Sequence, residues 1–159
     1  MRAPKSQRRY TRDGAIFVPR FLPAADFAVV LADCRSMRGG MKTEKGSIAV
    51  KRLRCCVDSR TQTHRLLTSA PAVERVCRLL GGPMEPSSYP VELRSYRAGS
   101  GMDWHHDDQL FTEPQCELVL CLDNTSDSRT EWIDAAGEHH AEWTPPNSAL
   151  LIRAGSGGA

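Results

Sequence analysis

Tyr96-Arg97-Ala98-Gly99-Ser100-Gly101-Met102-Asp103-Trp104-His105-His106-Asp107-Asp108 is the stretch on which the reading of this 159-residue chain turns. A β-prone run, Val91 to Tyr96, leads into it, and Gly99 and Gly101 mark a turn. A histidine and an aspartate two residues apart project to one side on a strand or extended loop, whereas on a helix they point apart. H-x-D in extended backbone is therefore a chelating arrangement, an imidazole nitrogen beside a carboxylate oxygen. One further histidine would complete the 2-His-1-carboxylate set that suits Fe(II) and leaves coordination positions open. By itself the pattern is common, and two exposed histidines beside two solvated aspartates is the other reading. Alternation also offers two overlapping pairs, His105 with Asp107 or His106 with Asp108, on opposite faces. Parity does not choose between them, because Met102, Trp104 and Leu110 share the face of His106 while Phe111 shares that of His105.

Outward from this stretch, everything after Pro83 is short β-prone runs bounded by turn residues. Glu117 to Asp123 precedes Asn124-Thr125-Ser126-Asp127, Thr130 to Asp134 precedes Ala136-Gly137, and Ser148 to Arg153 precedes the glycine-rich Gly155 to Ala159. Before Pro83 the pattern is mixed. Asp13 to Val18 predicts a strand, and Pro23 opens a helix carrying Phe27, Val29, Val30, Leu31 and Cys34 that breaks at Gly39-Gly40. Ile48 to Val57 predicts a strand, and Thr68 to Leu80 an amphipathic helix closed by Gly81-Gly82. Regular short strands with helices ahead of them predict an α+β, mainly β domain: a sandwich or barrel under a helical covering layer. We expect one domain over residues 13–159, mixed in 13–82 and β in 83–159, behind a flexible basic N-terminus over 1–12.

With 40% hydrophobic and 25% charged residues, the chain can bury a core as one globular domain. No apolar run approaches the roughly 18 to 20 residues that cross a bilayer, and Met1 to Arg12 has no signal-peptide apolar stretch. The expectation is a soluble, cytoplasmic protein without membrane contact. The acid-free start (Arg2, Lys5, Arg8, Arg9, Arg12) shares the charge of an organelle transit peptide but is short and poor in serine. Six cysteines without a C-x-x-C pair point to reduced thiols, with Cys77, Cys116 and Cys121 in apolar stretches that read as core. Residues 1–80 hold 17 Lys/Arg and 6 Asp/Glu, net +11, whereas residues 81–159 hold 4 and 13, net −9. Nucleic acid is not the favoured partner of the basic half, because no aromatic residues interleave with its Lys/Arg to stack bases. The acidic half is where a cation would bind.

Residues 90–153 resemble the 2-oxoglutarate/Fe(II)-dependent dioxygenase superfamily, particularly its prolyl-hydroxylase-like members. Their Y-x-x-G, short gap, H-x-D order is met by Tyr96, Gly99, His105 and Asp107. Glu117 to Leu122 looks like the family's long buried strand, and Pro145-Pro146-Asn147-Ser148-Ala149-Leu150-Leu151-Ile152 like its proline, small polar, apolar strand segment. The resemblance implies a double-stranded β-helix (jelly roll), Fe(II) and 2-oxoglutarate as cofactors, and hydroxylation of a C–H bond of a small-molecule or peptide substrate that the sequence does not identify. It selects His105 and Asp107 as the metal pair, through the aromatic Trp104 just before the histidine and Gly99 six residues earlier. It makes Tyr96 a co-substrate contact. In the family the second histidine and a basic co-substrate residue follow the segment resembling Pro146 to Arg153, so we expect a domain incomplete at its C-terminus, a fragment lacking both.

Other candidates are weaker. His139-His140, the remaining histidine pair, is expected at the tip of a hairpin between Trp132 and Trp143, and His64 at the surface or as a cap ahead of a helix. Arg94 and Arg153 could offer charge to a carboxylate, and Trp104, Trp132 and Trp143 could line a cleft, although packing is the commoner task of Trp in strands. Two further function classes stay open: a cupin-like metal-binding protein without oxygenase activity, and a non-catalytic β-domain that binds a partner.

Overall fold

The computed structural model describes Tyr10, residues 13–45 and residues 48–154, so the flexible start expected over 1–12, Tyr10 apart, and the glycine-rich end lie outside the described residues. In its first half the chain runs through β1 (Ala15–Val18), α1 (Ala24–Met37) with a 3-10 turn Arg38–Gly40, β2 (Lys42–Thr43), β3 (Ala49–Val50), β4 (Leu53–Cys56), α2 (Gln62–Leu67) and α3 (Ala70–Leu80). Only strands follow: β5 (Glu92–Ser95), β6 (Gly101–Met102), β7 (Gln115–Leu120), β8 (Thr130–Ile133), β9 (His139–Glu142) and β10 (Ala149–Ala154). The chain divides into two compact units, one from Met1–Ala24, Arg75–Pro83 and His106–Ala159, the other from Ala25–Glu74 and Met84–His105.

The first unit is organised by β10. Its opening residues Ala149, Leu150 and Leu151 are consecutive, apolar and at most 1% exposed, the pattern of a strand covered on both faces. It lies between β1 and β7, antiparallel to both, with Leu151 opposite Ile16 on one side and Leu118 on the other. Asn147 sets its entry, in the left-handed region at φ 62, where asparagine is better tolerated than most residues. Its Nδ2 donates to Leu22 O and its Oδ1 accepts from Leu22 N, both at 2.9 Å, so one side chain ties the loop after β1 to the turn before β10. β8 and β9 form a separate hairpin.

In the second unit, β2, β4 and β5 form an antiparallel sheet with β4 central, while β3 and β6 pair as a ribbon. Val30 and Cys34 are the buried residues of α1. Asp33 Oδ2 accepts from both the backbone N–H (2.9 Å) and the hydroxyl (2.7 Å) of Thr63, anchoring the start of α2 on α1, and Thr61 caps the same helix by accepting from His64 N at 3.2 Å.

The expected strand Ile48 to Val57 is two strands. Lys51, at φ 57, turns the chain between β3 and β4, and left-handed backbone cannot continue a ladder, so the two pieces pair with different partners. The helix read from Thr68 begins at Ala70, and a further helix, α2, precedes it, so His64 lies inside a helix. At six residues α2 is too short for a periodic signal and depends on its caps. His139 and His140 are not at a hairpin tip; they open β9, and the turn is Asp134 to Glu138, closed by Asp134 N to Glu138 O at 3.0 Å. The fold is mixed α+β and strand-rich. A jelly roll is not resolved in it: the described strands fall into two three-stranded and two two-stranded sheets. All six cysteines are free thiols. Cys77, Cys116 and Cys121 are half-buried, and burial pushes the Cys116 thiol up to about 11.

Candidate metal centre

The H-x-D pair sits in irregular chain and not on a strand. β6 ends at Met102, and the next contact with the β3 side is Asp103 N donating to Ile48 O at 3.3 Å. From Asp103 to Pro114 the backbone has neither strand nor helix. His105 is exposed, and its Nδ1 lies 2.8 Å from the backbone carbonyl of Asp103. When Nδ1 donates to that carbonyl, the neutral ring carries its lone pair on Nε2, the arrangement in which ligand histidines are held by their surroundings. Asp107 is half-buried, whereas His106 and Asp108 are exposed. The chain passes from one unit to the other between His105 and His106.

On the Asp107 side, one residue that sequence reasoning missed shapes the loop. Gln115, the first residue of β7, accepts through Oε1 from Leu110 N (2.8 Å) and Phe111 N (3.2 Å) and donates through Nε2 to Asp108 O (2.8 Å). Three backbone groups that no ladder serves are thereby satisfied, and the segment after Asp107 is tied to the start of a strand. A lone glutamine after a proline carries no signal of this.

Tyr96 follows β5 and is half exposed; its hydroxyl accepts from Arg52 Nη1 at 3.1 Å. Arg52 belongs to the basic half of the sequence, yet it is 5% exposed and donates from Nε to Glu44 Oε2 at 2.6 Å. The hydrogen bond from Arg52 holds the Glu44 carboxyl below its ordinary range, and that from Glu44 raises Arg52. Arg94 is engaged elsewhere, in an ion pair with Glu92 at 3.0 Å. No spacing in the sequence could have revealed Arg52, since Glu44 and Tyr96 reach it from separate segments of the fold.

His139 and His140 are occupied within their hairpin. His140 Nε2 is 3.0 Å from Asp134 Oδ2, and its ring stacks on Trp132 with centroids 5.2 Å apart. Asp134 is held below the ordinary carboxylate range by His140 and by the backbone N–H groups of Glu138 and Ala136. His139 Nε2 lies 3.7 Å from Glu131. Arg153 stands 5.3 Å over the Tyr10 ring and donates to Tyr10 O at 3.3 Å. Of the tryptophans, Trp104 is 60% exposed, and Trp143 Nε1 donates to Ser126 O at 2.9 Å. Among the described residues no three His, Cys, Asp or Glu side chains gather into a group that could hold a metal.

No family model matches the chain. It is 26% identical over 144 residues to an L-proline trans-4-hydroxylase of Streptomyces griseoviridis, an alignment covering 84% of this chain and 54% of that protein. The chain thus spans about half the length of this curated relative. Its fold is similar to the crystal structure of a Pseudomonas putida prolyl-4-hydroxylase, with a TM-score of 0.73 at 16% identity, over 94% of this chain and 85% of that one. At that identity the structural match speaks for the fold, and the fold it supports is the strand-rich α+β arrangement described above. The prolyl-hydroxylase-like resemblance read from the sequence agrees with the likeness to this relative, and the strand-rich α+β expectation with the structural match.

Proposed function

We propose that this chain carries the iron-binding part of a 2-oxoglutarate-dependent hydroxylase built on a double-stranded β-helix, with His105 and Asp107 as two metal ligands and Tyr96 as a contact of 2-oxoglutarate. The observation that carries this reading is the likeness to a hydroxylase over 144 residues. The part of the chain outside that alignment is too short to reach residues 96–108 from either end, so the H-x-D segment lies within it.

The residues present suit the metal by their chemistry. An imidazole nitrogen and a carboxylate oxygen two residues apart are two of the three donors that Fe(II) takes in this class. The contact between His105 Nδ1 and Asp103 O presents Nε2 as the ligating atom, and Gln115 restrains the loop after Asp107. The third donor is a further histidine, which the resemblance assigns to a strand after the one matching β10. Bound iron, with 2-oxoglutarate and O₂, supplies the oxidant for C–H hydroxylation. The chain's own tasks are to hold the ligands on one side of the metal, to donate a hydrogen bond from Tyr96 to the co-substrate, and to orient the substrate. The names of the relatives point to the C4 position of a proline ring, in free L-proline or in a prolyl residue, as the bond oxidised.

The test is anaerobic Fe(II) titration of the intact protein, then succinate release from 2-oxoglutarate with L-proline or a proline-containing peptide. Succinate formation matched by hydroxyproline supports the proposal. Iron binding without 2-oxoglutarate turnover would give the cupin-like reading instead, and no metal binding the partner-binding β-domain.

A further inference from the structure

We infer that Arg52, held in place by Glu44, is a positioning residue for Tyr96, turning the phenol hydroxyl into a donor for a carboxylate of the co-substrate. The inference rests on the reading of Tyr96 proposed above and concerns groups within the second unit alone. A guanidinium can only donate, so the 3.1 Å contact makes the Tyr96 oxygen the acceptor. The phenol has one hydrogen, which must then point to some other acceptor. The other neighbour within reach is Met102 Sδ at 3.7 Å, a weak acceptor that a carboxylate oxygen outcompetes. Tyr96 is thus set as a donor before any ligand arrives, which lowers the ordering cost of binding an anion.

Arg52 can hold this orientation because it is itself fixed. Its Nε donates to Glu44 at 2.6 Å, its Nη1 also meets Met102 Sδ at 3.1 Å, and Glu44 N donates to Arg52 O at 3.0 Å. Glu44 also meets Arg54 at 3.8 Å, and Glu92 takes Arg54 at 2.7 Å and Arg94 at 3.0 Å. Three guanidiniums thus share two carboxylates in this cluster, an excess of one positive charge among the five groups that favours an anion nearby.

The test measures 2-oxoglutarate affinity by calorimetry on the intact, Fe(II)-loaded protein under anaerobic conditions. It compares Tyr96→Phe, Arg52→Lys, Arg52→Met and the double variants. Arg52→Lys keeps a cation beside Glu44 but lacks the planar fork that reaches Glu44 and Tyr96 together. Each single variant is expected to weaken 2-oxoglutarate about tenfold with iron affinity unchanged. Tyr96→Phe combined with either Arg52 variant should be no weaker than Tyr96→Phe alone, because both act through one hydroxyl. The Tyr96 ¹³Cζ resonance, identified by its loss in Tyr96→Phe, should shift in Arg52→Lys without ligand. Should Arg52→Met fail to fold, Arg52→Lys carries the test. Additive losses, or full affinity and an unmoved resonance in Arg52→Lys, overturn the inference and leave the proposed function standing. A wild-type protein that binds no 2-oxoglutarate overturns both.

Discussion

Replacing Asn147 tests how the turn before the central strand is held, and the structure supplies the magnitude. Its side chain makes two reciprocal 2.9 Å hydrogen bonds with Leu22 from a backbone at φ 62. Asn147→Gly keeps the backbone conformation and removes both bonds; at about 1 kcal/mol each for partly buried bonds, the cost is about 2 kcal/mol. Asn147→Ala loses the same bonds and must also place a Cβ in left-handed backbone, adding roughly 1 kcal/mol. For a chain of this size that corresponds to a fall in Tm of about 4–8 °C for glycine and about 6–12 °C for alanine. Urea unfolding followed by tryptophan fluorescence is the assay, since Trp132 and Trp143 belong to the same unit as Asn147. A glycine variant as stable as the parent would show that the Leu22 bonds contribute nothing. An alanine variant no worse than glycine would show that the left-handed conformation is not what the position requires.

Four further outcomes are expected. In the intact protein, His105→Ala and Asp107→Ala should abolish Fe(II) binding, while His106→Ala and Asp108→Ala retain it with a smaller loss; metal titration giving the reverse order would move the site to His106 and Asp108. Gln115→Ala, which frees Leu110 N, Phe111 N and Asp108 O, should lower iron affinity by about 10- to 100-fold, and unchanged affinity would mean that the loop is held by other contacts. Leu151→Ala should cost about 2–5 kcal/mol in urea unfolding, because the side chain is 0% exposed at the centre of the sheet. Glu44 and Asp134 both titrate below their ordinary values in the fold, so the stability they contribute is complete above the ordinary carboxylate range and is lost as pH falls through the depressed values. Urea midpoints should therefore decline on acidification below about pH 4, less steeply in Glu44→Gln, and a midpoint independent of pH there would remove both groups from the account.

The pattern of elements was legible where local chemistry determines it. Pro23 before α1, Gly39-Gly40 after it, and the apolar run of β10 behind Pro145-Pro146-Asn147-Ser148 each carry their own start, stop or burial signal. Legibility failed where conformation depends on one residue with no local signature. Lys51 divides Ile48 to Val57 by adopting left-handed backbone. The six residues of α2 are helical because Thr61 and Asp33 cap them. His139 and His140 lie on a strand because the turn is completed earlier, around Asp134, which bonds Ala136 N and Glu138 N at 2.9 Å each.

For the candidate site, the sequence by itself offered the donor types: two overlapping H-x-D pairs after Gly99, of which the family resemblance selects His105 with Asp107 and adds Tyr96 upstream. Spacing along a chain is a covalent property and needs no fold to be read. The tertiary structure decided what surrounds those donors. It brought Glu44 and Arg52 to Tyr96 and buried that cation within the basic half of the chain, and it folded Gln115 back onto the loop after Asp107. These contacts join residues from different elements, and no local propensity encodes a hydrogen bond whose two ends meet only when their strands pair.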